Sequence, residues 1–275
     1  MRSNIERSVV RRTGARRVGG VLAAAVMAVA VSAACASDDS GESAATTESA
    51  AGESITVFAA ASLKNTFTEI GELYEAENPG SSVEFNFAGS SDLVAQLQQG
   101  ASADVFASAD TANMTKATDS GLVDGEPVDF ASNTLTIVVA PGNPKGITAL
   151  ADLTADGTLL VTCAQQVPCG AATTKVEEAA GVDLTPVSEE SSVTDVLNKV
   201  TSGQADAGLV YVTDAASAGD QVTEVPFVES DGVVNVYPIA VLSDSGSSAS
   251  AQAFADLVTG AQGRAVLEEA GFAQP

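Results

Sequence analysis

Short apolar strands alternate with helix-like stretches from residue 55 to the end of the chain, and this pattern constrains the fold most. Residues 55–60 are rich in β-branched and aromatic side chains, which is typical of a buried strand. Residues 63–77 follow with apolar side chains at helical spacing. The other predicted strands are 82–87, 104–107, 135–140, 159–162, 184–187, 207–212 and 233–241, and the other predicted helices are 91–99, 111–120, 173–180, 193–201, 250–259 and 262–270. This alternation predicts an α/β fold with parallel sheets.

The composition of the chain excludes several functions. With no His, the chain has no His-based zinc site, no Ser-His-Asp triad and no Cys-His dyad. Beyond residue 34, 6 cations stand against 35 acids, so we expect no nucleic-acid binding, because little positive charge is available to hold a phosphate backbone. Neither a P-loop nor a G-x-G-x-x-G turn follows the first strand, so nucleotide binding has no support.

The first 34 residues have the features of a secretory signal peptide. An Arg-rich stretch precedes a run of small and apolar residues at 18–34, which is short for a membrane span. Small residues stand directly before Cys35, so the sequence resembles a bacterial lipobox, in which that Cys is lipidated. Plain signal-peptide cleavage beside an incidental Cys is the alternative, and both Sec and twin-arginine export are open. We expect an exported protein with a lipid anchor on the extracytoplasmic face of the cell membrane.

Residues 35–53 are predicted to form an acidic flexible tether, because this low-complexity stretch lacks large apolar side chains. The two remaining cysteines, Cys163 and Cys169, predict a disulfide in an exported chain. Two free thiols are the alternative. A redox motif is not expected, since the spacing is not C-x-x-C.

Small and hydroxyl-bearing residues stand where several predicted strands end. In open α/β sheets, ligands bind at this edge, near the N-termini of the following helices. Ser62 follows the first strand, Ser90 the second, and Tyr211 stands at the end of a later one. Open backbone N–H groups, hydroxyl donors and a favourable helix dipole suit a small anion. An ordinary N-cap is the structural alternative for each serine, and a buried core tyrosine is the alternative for Tyr211.

Four segments, in order, carry a resemblance to a known family: ITVFAAASL, FAGSSDLVAQLQQGASADVFASAD, VPCGAATTK and GQADAGLVYVTDA. Together they resemble the molybdate-binding proteins of bacterial ABC importers, over residues 55–272. The resemblance implies a two-lobed periplasmic-binding-protein fold of type II, in which each lobe is a sheet flanked by helices. It also implies two crossings between the lobes, which fall near residues 132–135 and 235–238. We place lobe I at 54–132 plus 238–275 and lobe II at 133–237.

The resemblance implies that uncharged donors hold a tetrahedral oxyanion. Five residues match the donor positions of the family: Ser62, Ser90, Cys169, Val193 and Tyr211. The serines and the tyrosine would donate from hydroxyl groups, Ser62 also from its backbone amide, and Val193 and Cys169 from backbone amides. Cys169 departs from the Ala or Ser usual in the family, but a backbone donor tolerates that change. Gly89 stands where some members have Ser, which bears on loop flexibility.

The resemblance further implies molybdate as the ligand, tungstate by its similar size, no cofactor, no bare metal cation and a membrane permease as partner of a monomeric protein. Sulfate or another small oxyanion in the same fold is the neighbouring alternative. An interaction lipoprotein without a small ligand is a different class, which the set of strand-end donors disfavours. An enzyme is not expected, because no motif pairs the candidate carboxylates Asp104, Asp110, Glu190 and Asp195.

Overall fold

The computed structural model describes residues 52–275. The predicted signal peptide, Cys35 and the predicted tether as far as residue 51 lie outside the described residues. The strands are β1 (Ser54–Ala60), β2 (Ser82–Ala88), β3 (Val105–Ala107), β4 (Val123–Asn133), β5 (Leu135–Val139), β6 (Leu160–Cys163), β7 (Ser188–Glu190), β8 (Ala207–Tyr211), β9 (Thr223–Val225) and β10 (Asn235–Leu242). The α-helices are α1 (Lys64–Glu77), α2 (Ser90–Gln98), α3 (Thr111–Asp119), α4 (Pro168–Ala180), α5 (Val193–Thr201), α6 (Val212–Ala218), α7 (Ser248–Thr259) and α8 (Ala261–Glu269).

The strands form two five-stranded sheets. Sheet A has the order β2-β1-β3-β10-β4, and sheet B has the order β7-β6-β8-β5-β9. The described chain passes from sheet A to sheet B between β4 and β5 and returns between β9 and β10. The predicted α/β class with two lobes is confirmed. The first predicted lobe boundary, at 132/133, falls at the end of β4, whereas the second, at 237/238, falls inside β10, whose residues 235–237 pair with β4 of sheet A. The division into lobes itself stays a prediction.

Both sheets are mixed, although the strand–helix alternation predicted parallel ones. In sheet A, β10 runs antiparallel to β3 and β4, and in sheet B, β5 runs antiparallel to β8 and β9. These are the first strands that the chain enters after each crossing. A strand that starts at the junction of the sheets must run away from it, whereas β1, β2 and β3 end near it. The crossings therefore account for the antiparallel pairs.

Several element boundaries differ from the sequence prediction. The long strand β4 was not predicted, because Gly125 and Pro127 interrupt its pattern. The strand predicted at 184–187 is wrong, and the observed strand is Ser188–Glu190. Helix α4 begins five residues before the predicted start, with Pro168 in its first turn, where proline is favoured. Helix α6 and strand β9 were not predicted, and both are short.

The core of the described residues is rich in aromatic side chains on sheet A. Phe67 of α1 packs against Phe85, Phe130 and Phe254, with ring centroids 5.7–6.5 Å apart. Such contacts stabilise beyond the area that they bury. Tyr237 of β10 is fully buried and contacts Phe130 and Phe272 edge-on. No helix in the described part of the chain is both long enough and apolar enough to cross a bilayer.

Candidate functional site

A small cavity between the two sheets is lined by all five predicted donor residues: Ser62, Ser90, Cys169, Val193 and Tyr211. Its other lining residues are Ala60, Ala61, Gly89, Ala109, Val167 and Pro168. None of these lining residues has a charged side chain. The space open to the centre of a water molecule is about 10 Å³, roughly one water-sized sphere. Residues that lie up to 149 positions apart in the sequence therefore meet in one tight, uncharged pocket.

Three helices begin at this cavity. Ser90 is the first residue of α2, Cys169 the second of α4, and Val193 the first of α5. The first N–H groups of an α-helix have no partner within the helix, and the helix dipole places partial positive charge there. Ser62 lies in a 3₁₀ turn, Ala61–Leu63, that leads from β1 to α1. The cavity thus collects backbone donors without any cation, an arrangement suited to an anion.

Ser90 is 1% exposed, and its hydroxyl has one defined partner. The backbone N–H of Ala109 donates to Ser90 Oγ over 3.0 Å. Since that oxygen already accepts, the Ser90 proton is free to be donated to another group. Ser90 therefore enters the cavity as a hydroxyl donor.

Tyr211 is the last residue of β8 and is 1% exposed. Its Oη accepts a hydrogen bond from Asn235 Nδ2 over 3.0 Å, and its backbone N–H donates to Asp214 Oδ2 over 3.1 Å. Burial raises the pKa of the Tyr211 phenol well above its ordinary value, and the nearby Tyr237, Asp110 and Asp214 raise this pKa further. The phenol therefore keeps its proton throughout the physiological range.

Ser62 is half-buried, and its Oγ lies 3.1 Å from Tyr237 Oη. Either hydroxyl can be the donor in this pair. Burial raises the pKa of Tyr237 as well, so both groups stay neutral. The Tyr211 and Tyr237 rings are 6.0 Å apart. A second tyrosine thus lies directly behind the cavity.

Sequence reasoning did not identify Asn235, Tyr237 or Ala109 as part of the site. Asn235 and Tyr237 are two residues apart on β10, and alternate residues of a strand share one face. That spacing was a usable signal, because the sequence already placed a lobe crossing there. The contact of Ala109 is a backbone one, for which side-chain identity offers no signal.

Cys169 is joined to Cys163 by a disulfide, with the two Cα atoms 5.6 Å apart. The bridge connects the end of β6 to the first turn of α4. The turn is tight at Gly170, where a β-carbon would lie 2.0 Å from the carbonyl oxygen of Ala164. The disulfide and this close approach together hold the start of α4 against the end of β6.

The candidate carboxylates of the enzyme alternative have structural partners. Asp110 accepts from the backbone N–H of Asn113 and so caps α3. Glu190 pairs with Lys199, and although burial acts to raise the pKa of Glu190, hydrogen bonds and the Lys199 charge lower it on balance. Asp104 and Asp195 likewise accept from hydroxyl or backbone groups. Within residues 52–275, no group of three or more His, Cys, Asp or Glu side chains is arranged to hold a metal ion.

Asp214 is a buried acid next to the site. It lies in the first turn of α6 and is 8% exposed. Burial raises the pKa of its carboxyl to about 7, although the hydrogen bond from Tyr211 N–H acts to lower it. Its charge therefore changes near neutral pH, within contact of a cavity residue.

Three comparisons relate this chain to known solute-binding proteins. Residues 55–273 match a family described as bacterial extracellular solute-binding protein. The chain is 56% identical over 242 residues to the molybdate-binding protein ModA of Mycobacterium tuberculosis, covering 88% of this chain and 92% of that protein. It is 31% identical over 228 residues to ModA of Escherichia coli, covering 79% of this chain and 88% of that protein.

A solved structure extends the comparison to the fold. The periplasmic molybdate-binding protein of Azotobacter vinelandii superposes with a TM-score of 0.70 and 21% identity, covering 80% of this chain and 99% of that one. At this identity the likeness concerns the fold alone.

Proposed function

Since this chain belongs to the family of bacterial extracellular solute-binding proteins, we propose that it captures molybdate between its two sheets and delivers it to an ABC permease. Its role is that of a solute-binding protein rather than an enzyme, and its ligand is the solute, without a cofactor. One observation carries the assignment of the site: the five donors predicted from the sequence line a single uncharged cavity. The 56% identity to a molybdate-binding protein supports the choice of ligand.

Neutral donors are sufficient for tight binding of a dianion. A hydrogen bond to a charged group contributes about 1.5–3 kcal/mol net. Five to seven such bonds, from the hydroxyls and the helix N-terminal amides, would cover the roughly 12 kcal/mol of nanomolar affinity after the costs of association. Donors alone also disfavour a protonated anion, because its O–H group would find no acceptor.

The enclosed position of the cavity requires motion of the lobes. The cavity lies enclosed between the two sheets, so the sheets must separate for an oxyanion to enter and then close again around it. The two crossings between β4 and β5 and between β9 and β10 are the connections about which such a hinge motion takes place. Tungstate, which resembles molybdate in size and charge, is expected to bind as well.

Attachment to the membrane is part of the proposal. Lipidation at Cys35 would place the binding domain on the extracytoplasmic face of the cell membrane, beside the permease, as a monomer on an acidic tether. In the native host, the protein should partition with membranes and take up labelled palmitate, whereas the Cys35→Ala variant should be found in the soluble fraction. Partition of both forms into the soluble fraction would contradict the anchor and leave the binding proposal intact.

Isothermal titration of the mature protein with molybdate, tungstate, sulfate and phosphate tests the ligand. We expect tight binding of the first two and weak or no binding of the others. Sulfate is also unprotonated, so its rejection must depend on size. A preference for sulfate over molybdate would overturn the ligand assignment, and no binding of any oxyanion would overturn the proposed function.

A matched pair of serine variants tests the site. Ser90 and Ser248 each stand first in a helix, but only Ser90 lines the cavity. Ser90→Ala should weaken molybdate binding, and Ser248→Ala, whose side chain is exposed, should not. Equal affinities of the two variants would exclude Ser90 from the site.

A further inference from the structure

The backbone of one residue and the side chain of another connect two hydroxyls of the cavity. The N–H of Ala109 donates to Ser90 Oγ over 3.0 Å. The carbonyl oxygen of Ala109 accepts from Asn235 Nδ2 over 2.9 Å, and the same Nδ2 donates to Tyr211 Oη over 3.0 Å. One path of hydrogen bonds, continued through the backbone of Ala109, thus links Ser90 to Tyr211 by way of Asn235.

The direction of each bond in this path is determined by chemistry. A carbonyl oxygen can only accept, so the Asn235 group that faces Ala109 must be the amide nitrogen. That nitrogen can only donate. One of its two hydrogens is directed at the carbonyl oxygen of Ala109, and the other is directed at Tyr211 Oη. A backbone N–H likewise can only donate, so Ser90 Oγ is the acceptor from Ala109.

Both hydroxyl oxygens therefore receive a hydrogen from the protein and must direct their own proton elsewhere. For Tyr211, the cavity and the neighbouring hydroxyl of Tyr237 are the available directions. An anion is a stronger acceptor than a phenol, so a bound oxyanion would take this hydrogen bond.

We propose that Asn235 is a positioning residue that orients the Tyr211 hydroxyl as a donor toward the bound oxyanion, and that the backbone N–H of Ala109 does the same for Ser90. This inference rests on the proposed function. Asn235 does not line the cavity, so it acts through Tyr211 rather than on the ligand. It enforces the donor-only character on which rejection of protonated anions depends.

The burial of the path makes this orientation effective. Asn235 is 7% exposed, and Ser90 and Tyr211 are each 1% exposed. Solvent has little access to replace a missing partner at these positions. The raised pKa of Tyr211 also keeps its proton in place at neutral pH. Removing Asn235 would leave Tyr211 Oη able to accept a hydrogen bond as well as to donate one.

A double-mutant cycle on molybdate affinity tests the proposal, with Asn235→Leu, Tyr211→Phe and both together. We expect N235L to weaken binding about five- to tenfold in the parent chain, the effect of one misdirected hydrogen bond, and less than about twofold in the Y211F background. If N235L weakens binding by the same factor in both backgrounds, Asn235 does not act through Tyr211 and the proposal is wrong. If N235L does not fold, Asn235→Ala replaces it in the same cycle.

Asn133 provides the matched control. It is a buried asparagine directly opposite Asn235 in the β4–β10 pair, and its Nδ2 donates to Thr213 Oγ1 over 2.8 Å. Asn133→Ala should show much weaker coupling to Y211F than N235L does, because Asn133 reaches Tyr211 only by way of Tyr237. Equal coupling of both asparagines would mean a general effect on the hinge and would overturn the specific role of Asn235.

Competition against molybdate by sulfate and by phosphate gives a second readout. These tetrahedral anions are close in size, but only phosphate carries a proton at pH 7. N235L should raise the affinity for phosphate relative to that for sulfate, because the freed lone pair of Tyr211 can accept a hydrogen bond from the phosphate O–H. Simple loss of stability would leave the ratio of the two affinities unchanged. If the parent chain itself does not bind molybdate, the proposed function fails, and a parent that binds without coupling overturns only the role of Asn235.

Discussion

Gly89 and Ser191 meet beside the cavity so closely that a β-carbon on Gly89 would lie 2.0 Å from the Ser191 carbonyl oxygen. Gly89 precedes α2 on the side of sheet A, and Ser191 precedes α5 on the side of sheet B. The backbone of Gly89, at φ −61° and ψ 138°, is one that any residue adopts. The sequence comparison related Gly89 to loop flexibility, but the structure shows that it is the close approach of the two lobes that needs a glycine.

Gly89→Ala should therefore keep the fold and hinder closure. We expect molybdate binding to weaken by about 1–3 kcal/mol, the typical cost of an inserted methyl group in a packed contact. Small-angle scattering should show that molybdate makes the parent more compact and the variant less so. Gly246→Ala is the control, because a β-carbon there meets no atom within 4 Å. Parent-like affinity in G89A would mean that the bound form does not close to this contact.

The three hydroxyls of the cavity should each contribute to binding. Ser62→Ala, Ser90→Ala and Tyr211→Phe should weaken molybdate binding by about 1–3 kcal/mol each, the cost of leaving a partner unsatisfied. Cys169→Ala, in the presence of reductant, should retain binding because its backbone amide remains. Isothermal titration measures these affinities, and thermal melting checks the fold. Parent-like binding by all three hydroxyl variants would show that the ligand is held elsewhere.

Asp214 should make stability depend on pH. Burial raises its pKa from 3.8 to about 7, so between these values the unfolded chain loses a proton that the folded chain keeps. Ionisation of the buried carboxyl therefore destabilises the folded state. The free energy of unfolding falls between about pH 4 and pH 7 and then levels off, and the total loss is on the order of a few kcal/mol at ~1.4 kcal/mol per pKa unit. Asp214→Asn keeps an oxygen that can accept from Tyr211 N–H but cannot ionise.

Thermal melting from about pH 4 to pH 8, the interval that spans both pKa values, checks this expectation. D214N should melt at a higher temperature than the parent at the alkaline end, and the difference should vanish at the acid end. Asp220→Asn, at an exposed position next to α6, controls for the loss of one charge. A difference between D214N and the parent that does not change with pH would contradict the raised pKa.

Salt should accelerate molybdate association. Beyond residue 34 the chain carries 6 cations and 35 acids, so long-range repulsion opposes the approach of a dianion. Added salt weakens this repulsion, because exposed charges are screened beyond roughly 8 Å at physiological salt. The association rate should rise between about 20 and 300 mM chloride, while dissociation changes little because contacts inside the cavity are screened far less. Stopped-flow kinetics measure both rates. An association rate that falls steeply with salt would indicate a cationic ligand, with Lys64, which lines a groove beside Ser62, as the first candidate.

The sequence predicted best those features whose signals are local. Strand β1 has a run of β-branched and aromatic residues, and α5 begins at its predicted residue because Ser192 caps it. Helix α4 begins earlier than predicted because Pro168 and Gly170 were interpreted as loop residues, although proline is favoured in a first turn. Strand β7 was misplaced because its Ser and Glu residues have no apolar pattern, and its position depends on pairing with β6.

The amino-acid sequence by itself determined the α/β class, the acidic and His-free character of the protein, and the identity of the strand-end residues that line the cavity. The class and the composition follow from local patterns, whereas the cavity residues follow from the strand ends together with the resemblance to a known family. Only the tertiary structure decided the directions of the hydrogen bonds at Tyr211 and Ser90 and the fit of Gly89 against Ser191. Asn235 and Ala109 are 126 residues apart, and which donor faces which acceptor depends on how two sheets connected by two crossings pack together, a relationship that no local pattern encodes.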